Sequence, residues 1–192
     1  FTSATGALEI ALALAGVGPR DEVIVPAMTF VASANVVLRA GARPVLVEVD
    51  LDSRNTDVRR IEAALTPRTK AIMPVHFAGL PVDLAPVYAL AEQRGLRVIE
   101  DAAHAMGGSY AGKRIGAQGD LVAVGFHPNK NLTTIEGGAL TFARSAEVER
   151  AERLRFHGIR KLPAGEMEIE EPGGKFNMPD VSAAIGPAQL AH

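Results

Sequence analysis

Residues 120–138 read DLVAVGFHPNKNLTTIEGG. Leu121–Phe126 is an apolar run of strand length, and it predicts a buried strand. His127–Pro128 ends it, because proline cannot donate to a ladder. Lys130 therefore falls in a loop just past the C-terminal end of a strand, where open α/β sheets bind their ligands. Gly137 and Gly138 follow, then a second short apolar run, Ala139–Phe142. A lysine held there with its stem against apolar neighbours loses basicity and becomes a nucleophile toward a carbonyl. Taken alone, a loop lysine is equally a solvated surface charge. The segments around it decide between the two.

Toward the N-terminus the chain alternates strands and helices. Thr2–Gly6 is small and polar and leads into LEIALALAG, a helical stretch for which Ser3 or Thr5 is a suitable N-cap. Such a helix start, with unpaired N–H groups and a positive dipole end, is a natural phosphate site; as a bare pattern it is also simply a capped helix. Strands are expected at Glu22–Pro26, Pro44–Val49, Lys70–His76 and Leu96–Glu100, with helices at about Phe30–Arg39, Asp57–Leu65 and Leu84–Arg94. The strand at Leu96 delivers Asp101 to its C-terminal end. A Gly-rich connection, Ser109–Gly119, contains the hairpin-like YAGKRIG. Beyond residue 142 come a charged amphipathic helix at Ala146–Phe156 and a Pro/Gly-rich tract, Arg160–Lys175, that reads as an exposed loop. The last helix is VSAAIGPAQLAH, capped by Asp180. Buried β-branched strands alternating with helices predict an α/β fold, a three-layer α/β/α arrangement around a mostly parallel sheet.

Composition narrows the chemistry. The 192 residues suit one domain, with 47% apolar and 22% charged residues. A formal net charge of −2 gives no reason to expect a nucleic-acid or anionic-membrane partner. The absence of cysteine excludes disulfides, thiolate nucleophiles and Cys-ligated zinc. The histidines lack metal-ligand spacing, so no metal is expected. With no membrane-length apolar run and no visible leader, a soluble cytoplasmic protein is expected. No GxGxxG or GxxxxGK[ST] pattern occurs, which speaks against nicotinamide and P-loop chemistry.

Asp101, Lys130 and the segment carrying Phe30 all fall at C-terminal strand ends, on one edge of the inferred sheet. An acid, an amine, an aromatic ring and an anion-binding helix start fit one cofactor well, pyridoxal 5′-phosphate (PLP). The same stretches carry a resemblance. SATGALEIALALAGVGPRDEVIVPAMTFVASAN, TPRTKAIMPVHFAG, VIEDAAHAMGGSYAGKRIG and HPNKNLTTIEGG resemble the sugar aminotransferases of the DegT/DnrJ/StrS type. These are fold-type I PLP enzymes that aminate nucleotide-linked keto-sugars. Within that family the motifs are most similar to the enzymes acting on UDP-4-keto-pentose in lipid A modification, which form UDP-4-amino-4-deoxy-L-arabinose.

The resemblance implies roles residue by residue. Lys130 matches the Schiff-base lysine, which also acts as general acid and base, and Asp101 the partner of the pyridine nitrogen. His104 matches a side chain contacting the cofactor ring, and Phe30 an aromatic residue stacking on it. Thr5 and Gly6 match the backbone amides that hold the phosphate. Asn177, in KFNMPD, matches an asparagine reaching the phosphate of the neighbouring subunit, which implies a homodimer with shared active sites. The implied substrates are a nucleotide-linked keto-sugar and an amino-acid donor, glutamate by analogy. The resemblance further implies that residues 1–192 are a large domain truncated at both ends, with a smaller C-terminal domain outside the chain.

Two departures stand out: Gly125 occupies the place where most relatives have a serine donating to the phosphate, and the loop between Gly158 and Gly174 is shorter. They leave room for another reading, a non-catalytic regulatory or scaffold homologue. A sugar-dehydrating branch of the family has histidine in place of the lysine, and Lys130 speaks against it. Among the remaining candidates, His76 and His127 face the inferred cleft, with either a substrate-side or a structural role. His157 suits a C-cap contact, Asp50 and Asp52 a turn, and Lys113 and Arg114 a solvated hairpin. Glu136 stands before the Gly pair with no assigned chemistry.

Overall fold

The computed structural model describes residues 1–163 and 165–190. In chain order the elements are α1 (Ala4–Leu14), β1 (Glu22–Pro26), α2 (Ala32–Arg39), β2 (Arg43–Val47), α3 (Val58–Ala63), β3 (Thr69–Ile72), α4 (Leu84–Arg94) and β4 (Arg97–Asp101). A small hairpin, β5 (Ser109–Tyr110) and β6 (Lys113–Arg114), leads to β7 (Leu121–Gly125) and β8 (Gly138–Phe142). After these come α5 (Val148–Leu154), β9 (Ile159–Lys161), β10 (Met167–Ile169) and α6 (Asp180–Leu190).

Six strands form the central sheet in the order β2-β1-β3-β4-β7-β8. All neighbours are parallel except β7 and β8. The α/β expectation therefore holds, with one antiparallel edge. The connection from β7 to β8 contains no helix, and without a crossover the returning strand runs antiparallel.

Strand alternation assigns the two faces. Val23, Val25, Ala71, Met73, Ile99, Leu121 and Ala123 pack with α1, α2 and α5. Ile24, Ile72, Val98, Val122 and Val124 pack on the other face, with α3 and α4. Both faces are covered, so the strands read as continuous apolar runs. At about 1.5–3 kcal/mol per buried Leu, Ile or Val side chain, these two layers supply the driving force for the fold. α1 is the deepest helix: Leu8, Ile10, Ala11, Leu12 and Leu14 are all buried. It starts where it does because Ser3 is extended and its Oγ accepts the Gly6 N–H at 3.1 Å.

The sheet order reverses between β1 and β3, so the crevice outside their C-terminal ends is the topological switch point. At the opposite end of β4, Arg97 bridges Asp120 (2.5 Å) and Glu147 (2.8 Å), tying β4 to the segments before β7 and α5. The structure thus pins one end of β4 by charge and offers the other to a ligand.

Several expected boundaries shift. The strand expected to reach His76 stops at Ile72, two residues before Pro74, which cannot donate to a ladder. α2 begins at Ala32 rather than Phe30, leaving Phe30 in the loop. The tract from Arg160, expected as a loop, contains the β9–β10 hairpin, closed by Arg160–Glu168 (2.9 Å) and Arg160–Glu170 (2.7 Å) ion pairs. Glu166–Glu170 does alternate polar and apolar residues, but the run is short and flanked by Pro163, Gly165 and Pro172, whose turn signals set the loop reading. Asp180 is the first residue of α6 rather than its cap, and the expected last two positions, Ala191 and His192, lie outside the described residues. No described helix is long and apolar enough to cross a membrane.

Candidate active site

Asp101 ends β4, and its backbone is held on both sides. Its N–H donates to Pro74 O at 2.9 Å and its carbonyl accepts the His76 N–H at 3.1 Å. Because side chains alternate, Asp101 faces the same side as Ile99, the side of α1 and α2, while Glu100 faces α4. The Asp101 side chain is 6% exposed. Its Oδ2 accepts the Ser33 hydroxyl at 2.7 Å and its Oδ1 the Ala103 N–H at 3.2 Å. Ser33, on the first turn of α2, is fully buried and escapes a reading of the sequence, since nothing local pairs it with a residue 68 positions away.

Asp101, Lys130, His104, Thr5 and Phe30 line one cavity of about 460 Å³, together with Gly125 and Glu136. Lys130 is the only amine among the described residues lining it. Burial lowers its pKa below the ordinary lysine value, and the Asp101 carboxylate opposes that shift. His104 is also pushed down, first by burial and then by the Lys130 charge, again against the pull of Asp101. The cavity therefore favours an unprotonated imidazole and an amine whose lone pair becomes available at lower pH than in solution.

The start of α1 supplies the anion-binding end. Ala4 and Thr5 open the helix, and their N–H groups have no partner among the described residues. The Gly6 N–H, expected to point at a phosphate, is instead taken by Ser3 Oγ. β8 comes close to this helix start only because residue 138 has no side chain: a Cβ there would collide with the backbone of Ser3 and Ala4. Gly125 has a steric reason as well. A Cβ at that position would sit 3.2 Å from Ala4 Cβ and 3.6 Å from Ala103 Cβ, so a serine there would be crowded by Ala4.

The structure gathers most of the expected site residues but not all of them. Phe30 stands at the cavity mouth, 71% exposed. Asn177 lies elsewhere, beside Lys175, whose ammonium donates to its Oδ1 at 2.5 Å. His76 is fully buried between two partners: its Nδ1 accepts the Val82 N–H at 3.1 Å, which puts the ring proton on Nε2, 2.9 Å from Glu100 Oε2. That is a structural role, completed by the Tyr88 hydroxyl donating to Glu100 Oε1 at 2.6 Å. His127 is half exposed, its Nε2 3.7 Å from Glu136. His157 adopts a left-handed backbone beyond α5 and packs edge-on against Phe156. Asp50 accepts from Asp52 N, Ser53 N and Ser53 Oγ in a turn, away from the cavity, and these bonds lower its pKa. Arg114 donates to Gly107 O within the exposed hairpin connection.

A family model described as the DegT/DnrJ/EryC1/StrS aminotransferase family matches residues 1–192. Among solved structures, S. venezuelae DesV is 40% identical with a TM-score of 0.94, over 100% of this chain and 51% of that one. Spr1654 from Streptococcus pneumoniae, in its PLP form, is 36% identical with a TM-score of 0.92, over 99% of this chain and 53% of that one. Helicobacter pylori PseC, an aminotransferase involved in the biosynthesis of pseudoaminic acid, is 33% identical with a TM-score of 0.92, over 100% of this chain and 52% of that one. The chain thus spans about half the length of the solved structures it matches.

Two measurements test this geometry. In competitive labelling of the cofactor-free protein with an amine-directed acylating reagent, Lys130 should titrate below the ordinary value of 10.5. Asp101→Asn should lower it further, because the opposing negative charge is gone; a midpoint at or above 10.5 would show that burial does not govern the amine. For the packing, Gly125→Ser should cost about 1 kcal/mol in urea unfolding. Combined with Ala4→Gly, it should cost about 0.5–1 kcal/mol less than the sum of the two single changes. Strict additivity would mean that residues 4 and 125 do not compete for space.

Proposed function

The chain belongs to the DegT/DnrJ/EryC1/StrS aminotransferase family, and we propose that residues 1–192 form the cofactor-binding large domain of a PLP-dependent sugar-nucleotide aminotransferase. The observation that carries this reading is the cavity itself, where a buried carboxylate and a burial-weakened amine share walls with an open helix start. Those features fit the cofactor in chemistry: a fixed anion for a pyridinium nitrogen, an amine for an aldehyde, and free N–H groups for a phosphate. When bound, PLP supplies a carbonyl for amine exchange and a ring that accepts electrons.

The chain's own groups would then divide the work. Ala4 and Thr5 N–H groups hold the phosphate at the positive end of α1. Gly125 supplies no hydroxyl on the β7 side of that end, so the backbone would carry more of the binding. Asp101, hydrogen-bonded through both oxygens, would keep a proton on the ring nitrogen. Lys130 Nζ is the nucleophile and, once unprotonated, the base that takes a proton from the donor's α-carbon and returns it. His104, its pKa lowered by burial, would border the ring as a neutral imidazole, and Phe30 stands at the mouth.

The substrate we propose is a nucleotide-linked keto-sugar, aminated at C4 with glutamate as donor, and the motif likeness favours a UDP-4-keto-pentose. Asn177, outside its own chain's cavity, would reach the phosphate of a second subunit and so make the sites shared in a homodimer.

Two experiments bear on this reading. Borohydride reduction with PLP present should attach the cofactor to the peptide carrying His127–Asn131, at Lys130. A label on any other lysine overturns the mechanism. In the same preparation Asp101→Asn should stay folded and lose about 100-fold or more in transamination. For assembly, sedimentation should show PLP strengthening the dimer in the parent and much less so in Asn177→Ala, as reciprocal linkage requires. A monomer that binds PLP as tightly as the dimer would eliminate the shared site.

A further inference from the structure

Two hydroxyls behind Asp101 form a connected chain. Ser33 Oγ lies 2.7 Å from Asp101 Oδ2, and Thr29 Oγ1 lies 2.7 Å from Ser33 Oγ. Ser33 has one proton and a choice of three acceptors, the Asp101 carboxylate, Phe30 O at 3.3 Å and Thr29 Oγ1. The charged acceptor takes it. With the Ser33 proton committed, the Thr29 hydroxyl is the donor in the second contact, so the chain has one direction, Thr29 to Ser33 to Asp101. Each donor polarises the next.

We propose that Thr29 and Ser33 form a two-hydroxyl relay that keeps the Asp101 carboxylate aimed at the cofactor ring nitrogen, making both of them positioning residues of the reaction. This rests on the reading that the cavity holds PLP. Three observations carry it beyond a local capping contact. The backbone bond from Ser33 N–H to Phe30 O already closes the first turn of α2, so the hydroxyl is not needed there. Ser33 is fully buried while Thr29 borders the cavity, so the relay runs from the cavity wall to the rear of the carboxylate. With the Asp101 backbone clamped by residues 74 and 76 and Oδ1 held by Ala103 N–H, the Ser33 bond to Oδ2 is what stops rotation of the carboxylate. The other charged and titratable side chains lining the cavity are Lys130, His104, His76, His127 and Glu136, and the donors on the Asp101 oxygens are the Ser33 hydroxyl and the Ala103 N–H.

The test uses two ligands that differ in one atom: PLP, and its 1-deaza analogue, in which a C–H replaces the ring nitrogen. Both keep the aldehyde and the phosphate. Dissociation constants are measured by spectral titration of the cofactor-free protein for the parent, Ser33→Ala, Thr29→Val and Thr29→Ser. Ser33→Ala should weaken PLP about tenfold, the loss of one charge-assisted hydrogen bond, and leave the deaza analogue within about twofold. Thr29→Val, equal in shape, should weaken PLP by about threefold, and Thr29→Ser should restore it. Thr29→Val keeps the test decisive if Ser33→Ala does not fold. Equal weakening of both ligands would reduce the relay to a packing role and overturn the proposal, as would no change in either. A parent that binds neither ligand would overturn the PLP reading itself, a different result from a parent that binds PLP and variants that bind it no worse.

Discussion

The backbone clamp on Asp101 is the constraint on which the site depends. Pro74 O and His76 N–H hold its two backbone groups, and Ala102 N–H continues the register to Ala123 O at 2.8 Å. Two adjacent carboxylates, Glu100 and Asp101, point to opposite faces of the sheet. One is locked between His76 and Tyr88 on the α4 side; the other opens on the cavity between α1 and α2. A one-residue slip of β4 would exchange them, putting Glu100 at the cavity and Asp101 on the side of His76 and Tyr88. The parallel neighbours on both sides, together with the Arg97 ion cluster at the far end, make that slip costly.

Electrostatics in the cavity is a contest between burial and one negative charge. Burial lowers the pKa of both Lys130 and His104; Asp101 raises both, and Lys130 lowers His104 further. Burial wins in each case, so the two nitrogen bases lean toward their neutral forms while the acid keeps its hydrogen bonds. Two basic groups whose pKa values fall by burial beside one carboxylate make this cleft a candidate for acid–base work.

Close backbone approach completes the site. Gly138 allows β8 to reach the start of α1, and a Cβ at Gly125 would come within 3.2 Å of Ala4 Cβ. The loop between Lys130 and Gly137 carries local strain: Ile135, a β-branched residue, has φ +70. Such a conformation costs on the order of 1–3 kcal/mol. It persists because Thr133 Oγ1 accepts the Ile135 N–H at 3.0 Å and Thr134 N–H donates to Phe126 O at 2.9 Å, which fastens the loop to the end of β7.

The local periodicities of the sequence by themselves determined the succession of strands and helices, the α/β class, and the delivery of Asp101 and Lys130 to strand ends on one edge. Apolar patterning and strand-ending prolines are local properties, legible within about ten residues. The motif likeness supplied the candidate roles. What only the tertiary structure decided depends on which strands become neighbours. The Ser33–Asp101 bond spans 68 positions and the His76–Glu100 bond 24, and neither has a local signature. The same holds for the competition between Ala4 and Gly125. A residue's neighbours across a sheet follow from strand order and register, and those emerge only when both faces bury their apolar surface at once.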